Sequence, residues 1–133
     1  MEIKNTAKFY AKNKYVLIKK FISKEQANYL YTYGIMRANR AATMARSKWP
    51  NYREDLDGTF SDQQVPGTYS CYADTAMEAL LLQGLEGMRK ITGLNLAPTY
   101  SYWRLYKNGD VLKRHKDRPS CEVSTTLCLG YNN

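Results

Sequence analysis

The sequence has a single histidine, His115, in 133 residues. Neither a multi-histidine metal centre nor a His–His catalytic pair can be assembled from these residues alone. Cysteine is scarce: Cys71, Cys121 and Cys128. An odd count at spacings of fifty and seven fits no disulfide framework and no CxxC redox pair. The three read as free thiols of a reduced, cytoplasmic protein. Long apolar runs are missing as well. None approaches the roughly 20 residues that cross a bilayer, and MEIKNTAKFYAKNKY at the N-terminus has no apolar stretch of the secretory kind. No membrane association is expected.

Acidic residues are outnumbered 12 to 20, so the net charge is +8. Seven lysines fall between Lys4 and Lys24, and a second basic group comprises Lys107, Lys113, Arg114, Lys116 and Arg118. Such clusters form a solvated face, or they steer the protein toward anions or nucleic acid. Hydrophobic residues at 44% and aromatics at 13% exclude wholesale disorder. The length fits one domain, residues 1–133, which buries roughly two-thirds of its unfolded surface without staples.

Tyr15–Lys20 (YVLIKK) is apolar and β-branched, and reads as a strand. Ser23 with Gln26 forms a capping box that opens a helix. Ala27, Leu30, Tyr31, Ala38, Ala41, Ala42 and Ala45 carry its period to the mid-40s, with Gly34 weakening its middle. Residues 47–71 lose periodicity among Pro50, Gly58, Pro66 and Gly67, as either a binding loop or a plain surface connection. Thr75 and Glu78 form another capping box. Met77, Leu80, Leu81, Leu85, Met88 and Ile91 make a core stripe, and Gly93 is a C-cap.

After Pro98 the texture becomes β. Tyr100–Tyr106 is rich in aromatic strand formers, Asn108-Gly109 signals a hairpin turn, and Val111–His115 reads as the returning strand. Val123–Leu129 reads as a further strand. The order predicts an α+β fold with N-terminal helices packed on an antiparallel sheet. Residues 1–97 are mainly helical support, with the loop at 47–71, and 98–133 carry the strands.

His115 and Asp117 carry the chemical signal. On a strand, positions i and i+2 face the same way, so imidazole and carboxylate converge while Lys116 turns aside. Two of the three ligands of a 2-His-1-carboxylate Fe(II) site need that geometry, although the same residues suit a solvated strand end. Tyr102 and Arg104 share a strand face with Tyr106. They line a cleft, or serve as packing partner and snorkelling cation.

The stretch from Tyr106 through Gly109 to His115 and Asp117 reads Y-x-x-G-x-x-x-x-x-H-x-D, followed by Thr125-Thr126-Leu127-Cys128-Leu129 and Tyr131-Asn132. It resembles the Fe(II)/2-oxoglutarate-dependent dioxygenases of the prolyl-4-hydroxylase-like branch, with a texture around Asp117–Ser124 closest to small phage and marine-bacterial members. The layout is similar from about Lys20 onward, and the motifs are specific only from about Pro98. The resemblance implies a partial double-stranded β-helix (jelly roll) with His115 and Asp117 as the first two iron ligands. It further implies Tyr106 and Thr126 against the cosubstrate. The implied cofactors are Fe(II), 2-oxoglutarate and ascorbate, and the implied substrate is a peptidyl side chain or a small molecule.

The sequence departs from that pattern at Leu112 and Gly130, where many members have tyrosine. The sixteen residues after Asp117 contain neither a second histidine nor the distal Arg or Lys that pairs with 2-oxoglutarate. The isolated chain is therefore expected to be inactive, with no catalytic residue of its own assigned. A homodimer would cover the open sheet edges. The alternative function is a non-catalytic basic module for nucleic acid or a protein partner, whose tyrosines stack on bases. A zinc site from His115, Asp117, Cys121 and Cys128 is the weakest reading, because its spacing matches no standard signature.

Overall fold

The computed structural model describes residues 3–132. Helix α1 spans Ile3–Asn13, α2 Lys24–Arg46, α3 Glu54–Asp57 and α4 Thr75–Thr92; the strands are β1 Tyr69–Tyr72 and β2 Tyr102–Leu105. The architecture is α+β, with one two-stranded antiparallel sheet among the described residues.

Helix α2 begins at Ser23, whose hydroxyl accepts the Gln26 N–H at 3.0 Å. The reciprocal half of the expected box does not form, because the Gln26 side chain instead donates to Gln83 of α4 at 2.6 Å. Leu30, Gly34, Ala38 and Ala41 are the buried residues of α2, spaced as one helical face. Gly34 does more than weaken the helix. A Cβ there would stand 3.0 Å from Cζ3 of Trp103, so glycine lets β2 approach closely.

Helix α4 starts one residue earlier than its expected cap. Asp74, not Thr75, is the N-cap, and its carboxylate accepts the Ala76 and Met77 N–H groups at 3.0 and 3.4 Å. Glu78 is left free to accept the Ser101 N–H at 2.6 Å, which ties the start of α4 to the approach to β2. Gly93 closes the helix in the left-handed region, φ +72°. Helix α1 packs along α4, and the Phe21 ring lies against Gly84 and Gly87.

The sheet has two unlike faces. Register pairs Tyr69 with Leu105, Ser70 with Arg104, Cys71 with Trp103 and Tyr72 with Tyr102. Tyr69, Cys71, Trp103 and Leu105 face the core, against Ala38 and Ala41 of α2 with Tyr52 and Phe60 at the margin. Alternation places Ser70, Tyr72, Tyr102 and Arg104 on the other face. Thr59 bridges to Ser70 on the opposite edge of β1.

Three expected strands do not form. Residues 15–20, 111–115 and 123–129 have no ladder partner among the described residues. The turn at 107–110 is present, with the Asp110 N–H on the Lys107 carbonyl at 3.1 Å. It leads to no hairpin, because Asp110 Oδ2 takes the Lys107 N–H at 2.7 Å and the Thr68 hydroxyl at 2.5 Å. That ties the turn to the residue before β1. The partner of β2 is β1 itself, from the stretch expected to be aperiodic. No described helix is long and apolar enough to cross a membrane.

Candidate functional site

The H-x-D pair lies in the irregular segment that follows the 107–110 turn, exposed on both residues. His115 Nε2 stands 3.4 Å from Asp117 Oδ1. The two side chains converge, as the i, i+2 argument requires, but without a strand to hold them. Local contacts hold them instead. His115 Nδ1 lies 2.9 Å from the Lys113 carbonyl. A carbonyl oxygen only accepts, so Nδ1 carries a hydrogen, and Nε2 is the ring nitrogen turned toward the carboxylate. Asp117 Oδ2 accepts the Ser124 hydroxyl, leaving Oδ1 toward the imidazole.

Arg118 anchors this segment to the sheet. Its guanidinium lies over the Tyr100 and Tyr72 rings, 5.0 and 5.6 Å from their centroids, and those rings are 4.8 Å apart. The Cys121 N–H closes a turn onto the Arg118 carbonyl at 2.8 Å, and Cys121 Sγ lies 3.4 Å from the Tyr100 hydroxyl. That hydrogen bond and burial raise the Tyr100 phenol above its ordinary value. Sequence reasoning missed Arg118 as an anchor. Its place directly after Asp117 was visible, but its aromatic partners lie 46 and 18 positions upstream.

Tyr106 follows β2 on the polar side of the sheet, where its hydroxyl accepts from Arg104 Nη1 at 3.2 Å. Thr126 is elsewhere. It lines a cavity of about 250 Å³ with Tyr10, Phe21, Met88, Ile91 and Leu127, and none of Tyr106, His115 or Asp117 reaches that wall. Ser124, Thr126 and Cys128 are all exposed, off any ladder. Among the described residues, no three of His, Cys, Asp and Glu gather as a metal-holding group.

The polar sheet face holds a second cluster. Arg104 Nη2 lies 3.1 Å from Asp62 Oδ2 and donates to Gln64 at 3.2 Å; the Tyr102 hydroxyl donates to the same Asp62 oxygen. Burial pushes the Asp62 carboxyl up. Hydrogen bonds from Tyr102 and the Gln64 N–H, with the charge of Arg104, outweigh burial and hold it below the usual carboxylate range. Burial first, then the bond to Asp62, raises the Tyr102 phenol.

Fold and site together define an α+β chain with a converging imidazole–carboxylate pair beside a polar sheet face. No protein-family model, curated protein or solved structure matches it.

Proposed function

We propose that this chain contributes part of a prolyl-4-hydroxylase-like Fe(II)/2-oxoglutarate dioxygenase domain, with residues 1–97 as helical support and 98–133 as strands of its double-stranded β-helix. The observation that carries the reading is the convergence of His115 Nε2 and Asp117 Oδ1 at 3.4 Å, with the other ring nitrogen 2.9 Å from the Lys113 carbonyl. Metal-bound histidines donate their second ring nitrogen to a carbonyl or carboxylate in the same way. The donor set fits two protein positions of a facial Fe(II) site.

In that reading His115 and Asp117 hold the metal, and Ser124 and the Lys113 carbonyl orient them. Tyr106 contacts 2-oxoglutarate, and Thr126, which lines a separate cavity, takes no part in this arrangement. Bound Fe(II), with 2-oxoglutarate, O₂ and ascorbate to keep it reduced, supplies hydroxylation of a C–H bond coupled to decarboxylation of the cosubstrate. The substrate is a peptidyl side chain or a small molecule. The free thiols suit a cytoplasmic protein. Any sequence that continues this chain is expected to carry a second histidine and, beyond it, an Arg or Lys at strand spacing. Further strands, or a second copy, would pair with the open stretches at 111–115 and 123–129.

Metal binding tests the reading directly. Mn(II), a redox-stable stand-in for Fe(II), is titrated by water-proton relaxation. Saturable binding that His115→Ala and Asp117→Ala both abolish is the expected result. Binding that is unchanged in both variants overturns it.

A further inference from the structure

Two links in the chain set an Asp or Asn side chain directly before a glycine: Asp57-Gly58 and Asn108-Gly109. In each, attack of the glycine nitrogen on the side-chain carbonyl carbon closes a five-membered ring. No Cβ on the glycine obstructs that approach. The fold treats the two links differently.

Asp57-Gly58 is held in place. The Gly58 N–H donates to the Glu54 carbonyl at 3.2 Å, and the Gly58 carbonyl accepts the Tyr52 hydroxyl at 2.8 Å. Asp57 Oδ2 accepts the Arg53 N–H at 3.1 Å, and Oδ1 stands 3.6 Å from Arg40 Nη1. The end of the Tyr69 ring lies where a Gly58 side chain would be.

Asn108-Gly109 has no such restraint. Both residues are exposed. Among the described residues, neither the Asn108 side chain nor the Gly109 N–H has a hydrogen-bond partner. Beyond the chain neighbours, no atom stands within 4 Å of where a Gly109 Cβ would be. The turn is of type II: the Asp110 N–H closes on the Lys107 carbonyl at 3.1 Å, and Gly109, in third place, has φ +89°. Its other anchors belong to residues 107 and 110. Asp110 Oδ2 takes the Lys107 N–H and the Thr68 hydroxyl, and Lys107 Nζ donates to the Gly67 carbonyl at 2.6 Å. The peptide between 108 and 109 therefore turns toward the Asn108 side chain without losing a contact of its own.

We propose that Asn108 is a site of spontaneous deamidation in the folded protein. The Gly109 nitrogen gives up its proton and bonds to Asn108 Cγ. The Cγ–Nδ2 bond breaks, and Nδ2 takes up a proton and leaves as ammonia. Water then opens the cyclic imide. Cleavage at Cγ leaves aspartate at 108 with the main chain restored. Cleavage at the main-chain carbonyl leaves isoaspartate, whose main chain is longer by a methylene. Both products carry a new negative charge beside Asp110, but only isoaspartate stretches the 107–110 turn and loosens its tie to Thr68. No metal or cosubstrate enters the reaction, so the site is independent of the iron reading.

The test ages the full chain in mildly alkaline buffer, native and in urea. Residues 108–113, released by trypsin, are followed by mass spectrometry, and isoaspartate is counted by isoaspartyl methyltransferase labelling. Conversion of Asn108 from amide to acid, with Asn51 and Asn95 intact, is expected. The native rate is expected to fall no more than about tenfold below that in urea, since one hydrogen bond closes the turn. Isomerisation at Asp57 is expected in urea alone. Asn108→Gln, which would need a six-membered ring, is expected to stop the conversion with the turn intact. Fresh Asn108→Asp is expected to keep the hydrogen-exchange protection of the Lys107 N–H, which the isoaspartyl protein loses. Native Asn108 that survives as long as Asn51 and Asn95, conversion confined to urea, or unchanged Lys107 protection in the isoaspartyl protein overturns the proposal.

Discussion

Asp74 gathers two helix N–H groups, a phenol and a guanidinium around one buried carboxylate. Oδ1 accepts the first N–H groups of α4, Oδ2 accepts the Tyr33 hydroxyl at 2.8 Å, and Arg37 Nε stands 3.3 Å away, off hydrogen-bond alignment. Helix capping alone is worth about 1 kcal/mol. Removing the carboxylate also strips Arg37 of its counter-ion in a largely buried place. Asp74→Ala is therefore expected to lower stability by about 3 kcal/mol, read from the urea midpoint, and Asp74→Asn by less because the cap survives. The same variant has a spectroscopic signature. Burial, then the bond and charge of Asp74, push the Tyr33 phenol up to about 12. An acid whose folded pKa is raised keeps its proton in the fold, so its contribution is lost as pH rises from the ordinary tyrosine value of about 10 toward 12. In Asp74→Ala, phenolate absorbance is expected to appear at lower pH than in the parent. An unchanged alkaline titration curve would contradict that origin of the shift.

Helix α2 and strand β2 meet through a missing side chain. At Gly34 an added methyl gains about 1 kcal/mol of helix propensity. It also falls 3.0 Å from Trp103, whose ring is held by Tyr69 at 5.2 Å between centroids. Overpacking of that kind costs about 1–3 kcal/mol. Gly34→Ala is expected to be net destabilising by about 1 kcal/mol, with a shifted Trp103 emission, and Gly34→Val by more. A stabilised Gly34→Ala would show that the ring yields freely. The two long helices were legible because their signals are local: Ser23 and Gly93 stand at the ends, and apolar residues recur at helical spacing. Strands are another matter. YVLIKK has the composition of a strand but no neighbour to bond with among the described residues, whereas Tyr69–Tyr72, in a punctuated polar stretch, forms one because Tyr102–Leu105 lies beside it. Strand propensity reports a surface that fits a sheet, not the presence of a partner. The reciprocal halves of the capping boxes are missing for a related reason. Gln26 and Glu78 were claimed by Gln83 and Ser101, 57 and 23 positions away. The neighbourhood of the H-x-D pair was legible only in part. The strand that was to align His115 and Asp117 does not form, and their convergence rests on contacts to Lys113 and Ser124 that the spacing did not show, while Thr126 depended on another absent strand and lies in another cavity.

For the molecule as a whole, the limiting quantity is the single imidazole. In the proposed reading His115 and Asp117 supply two donors, and a facial Fe(II) site takes three from protein while leaving positions for cosubstrate and O₂. A dimer of this chain could bring a second His115 to the first pair, so concentration becomes a diagnostic variable. In the proposed reading, the net charge of +8 would draw a dianionic cosubstrate toward the surface without fixing it in a pocket. The 133-residue chain, supplied with Fe(II), ascorbate and 2-oxoglutarate, is therefore expected to release no succinate above that of free iron at micromolar protein. Succinate that rises with the square of protein concentration and vanishes in His115→Ala would assign the third ligand to a second copy. Succinate in proportion to protein would mean that one chain completes the site with a donor other than histidine, and a metal held by His115 and Asp117 alone would no longer describe the protein.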